Sequence, residues 1–258
     1  MHIITHLSPY AQRFYLGLHK LFTAVEPAEG VKWNVNARFP SIAGSVTDLL
    51  NSDGLSADQL LDRKDALNFY VNDLAWRGNV GVYYYVRVSF AARAMFLGDV
   101  ETLRLLLVHG ADPLRMFTHP AVNFNGAPLN FIFSTHFMHP SVTLATRLRL
   151  VEVLRECGGG AVDPNVRRQT GKWLTTPLHD IATLFDKSKR GEISVRTTRS
   201  ECQAALNYLV HTMKANPSIR SSNVASFVEL PRDPAWEWAQ KNGFTVDGWQ
   251  IVEENDHW

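Results

Sequence analysis

The stretch that decides the fold is residues 89–113, SFAARAMFLGDVETLRLLLVHGADP. An apolar run that contains Ala91 and Met95 stops at Gly98, and a second apolar run, residues 100–107, follows at once. Glycine adopts the left-handed backbone that ends many helices, so each glycine here marks a helix end. The stretch predicts two short helices joined by a tight turn and closed by Gly110-Ala111-Asp112.

This pattern resembles one unit of an ankyrin repeat, in which two short antiparallel helices precede a turn that begins with Gly-Ala-Asp. The resemblance is strongest at Thr176-Pro177-Leu178-His179-Asp180-Ile181-Ala182, which is similar to the start of the same repeat. His179 then corresponds to the family's structural histidine, whose ring bonds within the turn that Thr176 opens. The resemblance implies a mainly α fold, an ankyrin-type helical solenoid with long insertions and atypical terminal caps.

Three units follow from this pattern, residues 89–113, 128–158 and 176–216, and we expect them to stack as neighbours because a single unit cannot bury its own helix faces. In the second unit Ala127-Pro128-Leu129-Asn130 replaces Thr-Pro-Leu-His, and residues 136–146 are inserted before a helix over 148–156. In the third unit residues 186–199 are inserted, and a helix restarts at the capping box Thr198-Arg199-Ser200-Glu201.

The chain divides into an N-terminal helical capping region, residues 1–73, degenerate repeats, residues 74–217, and a C-terminal cap, residues 218–258. The first region should hold a helix from Ser8-Pro9 to Val25 that covers the repeats, an irregular connector over 26–44, and a helix from Ser56 through Leu74. The C-terminal cap should hold a short helix from Asp233-Pro234 and a hairpin at Asp247-Gly248.

Residues 74–88 admit two interpretations. Their first part is similar to the end of a first ankyrin helix, which suggests a degenerate leading unit. We take the degenerate unit as the interpretation. The alternative is a strand over residues 82–86, Val-Tyr-Tyr-Tyr-Val, because β-branched and aromatic residues favour that state.

Composition limits the classes of function. Of the 258 residues 20% are charged, and the formal net charge is +1, so nothing global indicates binding to nucleic acid or to a membrane surface. The two cysteines, Cys157 and Cys202, lack metal-ligand spacing, and no apolar run is long enough to cross a bilayer. We therefore expect an intracellular protein, cytoplasmic or nuclear.

No motif for a catalytic nucleophile, a zinc protease or a phosphate loop is found in the sequence. His136 and His139, with His119 nearby, could approach a metal, but no carboxylate or thiolate completes a zinc set, and a solvated insertion is the favoured interpretation. The sequence thus predicts no catalytic residue, no cofactor, no metal and no small-molecule substrate.

The resemblance implies a non-enzymatic protein-protein interaction module that binds a protein partner through its finger loops and first helices. The alternative is an enzyme, or an enzyme subunit, whose site is formed by the flanking segments against the repeats. A third possibility is an adaptor with a second partner on its flanks. Fold alone does not identify the partner.

Long loops on a rigid frame often carry function, so the fingers between units supply the candidate partner-binding residues. The finger over 165–175 exceeds the family's length and should project. The candidates are Arg167, Arg168, Lys172 and Trp173 on this finger and Phe117 and Phe124 on the finger over 114–126. Trp173 either contacts a partner, as Trp often does in interfaces, or folds back against Phe117 or Phe124.

A basic stretch lies in the third insertion, formed by Lys187, Lys189, Arg190, Arg196 and Arg199. Three interpretations remain: a solvated loop, a docking site for an acidic peptide or a nuclear-import tag, and a nucleic-acid contact. The last is the least favoured because no aromatic residues are interleaved with these charges.

Overall fold

A computed structural model describes residues 4–25, 39–51, 53–69, 71–77, 83–114, 117–118, 128–134, 138–139, 141–158, 162–170, 173–192, 197–223 and 233–251. This part of the chain is mainly helical, which confirms the predicted fold class at that level. The helices are α1 Pro9–Val25, α2 Ala43–Leu50, α3 Ala57–Leu67, α4 Phe90–Leu97, α5 Val100–Val108, α6 Pro128–Phe133, α7 Leu144–Gly158, α8 Pro177–Lys189, α9 Arg199–Asn207 and α10 Ala235–Lys241.

Short strands make two antiparallel three-stranded sheets in the described residues. The first sheet has the order β1-β2-β3 and the second the order β4-β5-β6. The strands are β1 Val71–Arg77, β2 Tyr83–Val88, β3 Phe117–Thr118, β4 Arg168–Thr170, β5 Trp173–Thr175 and β6 Ser222–Asn223. A 3-10 turn at Ile4–His6 precedes α1, and a π-helical turn at Tyr208–Thr212 extends α9.

The helix pair α4 and α5 forms as the sequence predicts. Gly98 has a φ of 73° after α4, and its N–H donates to Met95 O at 2.9 Å. Any other residue there would be strained by the backbone. Its Cβ would also lie 3.0 Å from Val142 Cγ2, just before α7 in the second unit. Gly98 therefore fixes both the turn and a close approach between units.

The three predicted helix pairs are neighbours. Helix α4 contacts α6, which contacts α8, while α5 contacts α7, which contacts α9. The facing residues are apolar and almost fully buried, among them Leu103, Leu106, Leu150, Val151 and Leu206. On the outside, Arg149 of α7 pairs with Glu101 of α5 at 3.4 Å, and Arg104 pairs with Glu156.

The N-terminal helices cover the first pair. Phe90 of α4 meets Tyr15 and Phe22 of α1, with ring centroids 5.2 Å and 5.7 Å apart. Helix α2 packs on α5, although the sequence predicted an irregular connector as far as Gly44. The start of α2 was missed because its side-chain partner is distant: Asp99 Oδ2 accepts the Ile42 N–H at 2.9 Å.

The prediction for the segment after Ser56 was wrong beyond Leu67. Helix α3 stops there, and β1 and β2 then form an antiparallel hairpin in which Trp76 lies opposite Tyr84 and Ala75 opposite Tyr85. The strand interpretation is thus confirmed for residues 83–88, and the degenerate leading helical unit is ruled out. Backbone pairing of β1 with β2, in a segment rich in β-branched and aromatic residues, replaced the longer helix that the apolar spacing had suggested.

The same turn closes all three helix pairs. The turn contains one apolar residue, which is 4% exposed in each case. The side chain of the residue after it accepts a hydrogen bond from the backbone N–H two positions further along the chain, at 2.8, 2.8 and 2.9 Å. The apolar residues are Ala111, Val162 and Ala215, and the acceptors are Asp112, Asp163 and Asn216. A proline follows each acceptor, so the third turn, Lys214-Ala215-Asn216-Pro217, is a repeat of the first.

The strands repeat in the same way. Strand β2 leads into α4, and β3, which follows α5, returns antiparallel to β2. Strand β5 leads into α8, and β6, which follows α9, returns antiparallel to β5. The first and third units therefore share one arrangement of strand, two helices and returning strand.

The C-terminal helix is confirmed, but the hairpin after it is not. Helix α10 packs on α8, where Trp238 Nε1 donates to Asp186 Oδ2 at 3.1 Å. Residues 247–248 form a turn, yet residues 244–251 contain no strand. Phe244 and Trp249 are buried instead, and the Trp249 indole N–H donates to Asn207 Oδ1 at 3.4 Å.

Both predicted insertions are shorter than the sequence suggested. Helix α7 already begins at Leu144, and α8 continues to Lys189.

None of the helices in the described ranges combines the length and apolarity that crossing a bilayer requires.

Candidate protein-interaction surface

The finger over 165–175 is a β-hairpin rather than an open loop. Arg168 lies opposite Thr175, and Thr170 opposite Trp173, in the pairing of β4 with β5. On the other side of β5, Trp173 pairs with Asn223 and Leu174 with Ser222. The expected long finger is therefore present as a strand pair, and its β5 backbone is held on both flanks.

The start of α8 fixes the base of this hairpin. His179 Nδ1 lies 2.8 Å from Thr176 Oγ1 and 3.3 Å from the Thr176 N–H, which confirms the hydrogen-bonded turn expected of this histidine. The Thr175 hydroxyl donates to Asp180 Oδ1 at 3.2 Å. These contacts join the last residue of β5 to the first turn of a buried helix, so the hairpin cannot pivot at that end.

An asparagine fixes the other end. Asn165 Oδ1 accepts the Asn216 N–H at 2.6 Å, which ties the start of the finger to the closing turn of the third unit. Asn68 makes the equivalent contact in the first unit, where its Oδ1 accepts the Asp112 N–H at 2.6 Å. Neither asparagine was singled out from the sequence, because each acts on backbone that is more than 40 residues away.

The predicted partner-binding residues lie in different places. Arg167 is exposed just before β4, Arg168 lies within β4, and Trp173 begins β5. Phe117 lies in β3, opposite Val88 in the other sheet, so its strand is not paired with that of Trp173. Lys172 and Phe124 lie outside the described residues. The structure thus groups Arg167, Arg168 and Trp173 on one hairpin and places Phe117 in a strand of the other sheet.

The first helices offer less surface than expected. Every residue of α4 and of α6 is buried, so these two helices cannot form the wall of an open groove. Asn130, which stands where the family has histidine, is fully buried, and its amide donates to Val166 O at 3.4 Å. The first helices of the first two units therefore do not supply the open surface that the sequence predicted.

The basic stretch of the third insertion is largely part of the fold. Lys187 and Lys189 lie in the last turn of α8, and Arg190 pairs with Glu192 two residues later. Arg199 opens α9 and donates to the carbonyls of Asn242 and Gly243 at 2.7 and 2.8 Å, at the end of α10. Arg196 lies outside the described residues. Arg199 is therefore a link to the C-terminal cap and not a loop residue.

His139 is a core residue between units. It is 1% exposed, its ring meets Phe39 and Phe96 edge to face, and its Nδ1 lies 2.7 Å from Ser141 Oγ. Burial lowers its pKa to about 4. His119 and His136 lie outside the described residues, among which no three potential metal ligands cluster.

A charge pattern on the fingers was also missed. Arg220 is exposed and follows Asn216 by the same four residues that separate Arg167 from Asp163. The repeated Ala-Asn-Pro turn would have revealed it, but that turn lacks both Gly and Asp. The segments that follow the three turns, residues 114–126, 165–175 and 218–228, contain no Asp or Glu, and their basic residues are Arg115, Arg167, Arg168, Lys172 and Arg220.

No family model, no curated protein and no solved structure matches the chain.

Proposed function

We propose that this chain is a non-enzymatic protein-protein interaction module built from three ankyrin-type units, which binds a protein partner through its finger hairpins. The observation that carries the proposal is the repeated closing turn. Three buried apolar residues, each followed by a side chain that caps its own turn and then by proline, close the three neighbouring helix pairs in the same way.

Rigidity supports binding by the fingers. The hairpin over 168–175 is paired on both flanks of β5 and is fixed at its two ends by Asn165 and by the Thr176–His179 contact. A preorganised surface loses little conformational entropy on association, which raises affinity without new contacts. This is the property that an interaction module needs and that a solvated loop lacks.

Two ends of the helix stack are covered, and charges on its outer face are paired. Helix α1 covers α4 at one end of the stack, and α10 covers α8 at the other. On the outer face of α5 and α7, exposed charges pair with each other, as in Arg149–Glu101. Exposed pairs of this kind contribute little to affinity or stability. The proposal therefore relies on the fingers rather than on these three surfaces.

The test is affinity capture with matched variants. The wild-type chain, Trp173→Ala and the double variant Arg149→Glu/Arg155→Glu serve as baits in native lysate. The double variant changes two exposed residues of α7 and removes their contacts with Glu101 and Tyr208. We expect Trp173→Ala to leave the melting temperature within about two degrees and to weaken recovery of the partner at least about tenfold, since Trp at an interface centre contributes about 2 kcal/mol or more.

The outer-face variant should capture the same partner as the wild type. If this variant loses the partner and Trp173→Ala does not, the partner binds to the second helices and not to the fingers. If Trp173→Ala lowers stability while its folded fraction binds normally, Trp173 is a structural residue and the finger proposal fails.

A further inference from the structure

We propose that α3 and the adjoining end of α5 form a second docking surface, which takes a basic amphipathic helix of a partner protein. The surface consists of Asp58, Leu60, Leu61, Asp65 and Val108, and we call it the α3 surface. It shares no residue with the fingers, and the proposal does not depend on the function proposed above.

The first observation is exposed apolar area. Val108 and Leu61 are the two most exposed large apolar side chains in the described part of the chain, with 69% and 61% of their surface accessible, and Leu60 is 40% exposed. Single exposed apolar residues are common in proteins, whereas a group of them marks an interaction site. The question is therefore whether these three residues lie together.

Contacts between α3 and the end of α5 bring them together. Three contacts advance in step along the two segments: Arg63 with His109, Lys64 with Gly110 and Asn68 with Asp112. Lys64 follows Leu60 by four residues and Leu61 by three, so both leucines lie on the side of α3 that carries Lys64. Val108 precedes Gly110 by two residues. The three apolar side chains thus border one seam between the two helices.

The second observation is the charge around this seam. Residues 43–67, from the start of α2 to the end of α3, contain five acidic and two basic residues, whereas the whole chain has 25 acidic and 26 basic ones. One of the two basic residues, Arg63, is buried. The acidic residues are Asp48, Asp53, Asp58, Asp62 and Asp65. The exposed part of this segment is therefore net negative.

Two of these carboxylates lie beside the apolar residues. Asp58 comes three residues before Leu61 and Asp65 four residues after it, so both share its face of the helix. Both are exposed, and neither belongs to an ion pair within the described ranges. An apolar surface bordered by unpaired carboxylates is complementary to a partner that combines apolar and basic side chains.

The geometry of the surface favours a helix as the bound segment. Both α3 and α5 bond their backbone groups internally, so the surface offers side chains and no strand edge to which an extended peptide could add. A helix presents apolar residues at every third or fourth position along one side and can carry Lys or Arg beside them. Those basic residues would meet Asp58 and Asp65, which repel nucleic acid and anionic lipid.

A second copy of this chain is the alternative partner. A symmetric dimer through the α3 surface would bring the same patch of both copies together. Asp58 and Asp65 would then face other carboxylates, and like charges in contact disfavour association. A different protein that supplies basic residues avoids this repulsion.

The experiment uses the full chain and a fluorescein-labelled peptide of about 18 residues, long enough to form a helix, with Leu at every third or fourth position and Lys elsewhere. One control peptide has the same composition in scrambled order, and another has Glu in place of Lys. Fluorescence anisotropy should show that the first peptide binds, that its binding weakens as salt is raised, and that both control peptides bind much more weakly.

Two double variants test the two properties of the α3 surface. Leu61→Ser/Val108→Ser should weaken binding at least about tenfold, because both apolar side chains that the peptide covers are removed. Asp58→Asn/Asp65→Asn should weaken it about threefold or more and reduce its salt dependence. Two matched controls change exposed residues elsewhere and should leave the affinity within about twofold: Leu16→Ser/Ile251→Ser and Glu152→Gln/Asp247→Asn.

Four results would overturn the proposal: no binding of the Lys peptide, equal binding of the scrambled peptide, an equal loss in the matched controls, or a dimer in sedimentation that Leu61→Ser/Val108→Ser dissociates. Circular dichroism and melting temperature establish that each variant is folded, and Leu61→Ala is a milder substitution if Leu61→Ser lowers stability. Trp173→Ala should leave the affinity for this peptide unchanged, so the two proposals fail or stand separately.

Discussion

Lys214 occupies in the third closing turn the backbone position that Gly110 occupies in the first. Lys214 has a φ of 64° and Gly110 a φ of 101°, and each is followed by an alanine that is 4% exposed. The Ala111 N–H donates to Leu106 O, whereas the Ala215 N–H reaches one residue further back, to Leu209 O, because the π-helical turn inserts a residue.

A lysine in left-handed backbone is strained, so Lys214→Gly should stabilise the protein. Glycine removes the cost of holding a lysine in left-handed backbone, about 1 kcal/mol, but it also adds conformational entropy to the unfolded chain. The free energy of unfolding should therefore rise by about 0.5 kcal/mol. Urea unfolding measures it. Gly110→Ala is the matched control and should destabilise the protein; a stabilising effect there would contradict the equivalence of the two turns.

Leu106→Ala should cost more than His179→Gln. Leu106 is fully buried between helix pairs, and removal of its side chain opens a cavity that costs about 2 to 5 kcal/mol. His179→Gln removes part of one hydrogen-bonded turn, about 0.5 to 2 kcal/mol. Chemical denaturation of the two variants gives both values. Equal losses would contradict the roles assigned to these residues.

Acid should destabilise the fold through His139. Its pKa falls from 6.5 to about 4 on burial, so the folded state holds the neutral ring. The contribution of the neutral ring to the free energy of unfolding is fully present above pH 6.5. It is lost as the pH falls towards 4, by on the order of 2 to 3 kcal/mol, because the unfolded chain then binds a proton that the folded chain does not. The unfolding free energies of wild type and His139→Gln should differ less at pH 5 than at pH 7.5. A pH-independent difference would rule out this origin.

Shortening the loop after α8 should be tolerated if the cut respects the helix. Replacement of residues 192–196 by a Gly-Ser link removes Glu192 but leaves Lys187 and Lys189 in place, and loop length has only a small effect on closure entropy. We expect a change below about 1 kcal/mol in thermal unfolding. A cut that also removes residues 187–189 shortens α8 and should destabilise the protein. A larger loss of stability from the shorter cut than from the longer one would show that the loop itself is packed.

Local sequence predicted those elements whose signals lie within a few residues. The helix pair 89–113 is marked by Gly98 and by the cap at Ser89, whose hydroxyl accepts the Ala92 N–H at 3.2 Å. The capping boxes at Ser56 and Thr198 form where the sequence places them, and so does the hydrogen-bonded turn of Thr176 with His179. The finger residues Arg167, Arg168 and Trp173 could be named for the same reason, because their position relative to the repeated motifs is local.

Only the tertiary structure decided the features whose partners are distant in the chain. Helix α2 begins where Asp99, 57 residues away, accepts the Ile42 N–H and also the hydroxyl of Ser41, which itself accepts the Ala43 N–H at 3.2 Å. Strand β1 replaced a predicted helix because it pairs with β2, and the first helices became inaccessible because every residue of α4 and α6 is covered. Sequence determines which backbone groups can be satisfied locally; the remaining hydrogen bonds and the apolar surface are satisfied by whichever distant residues the fold brings near.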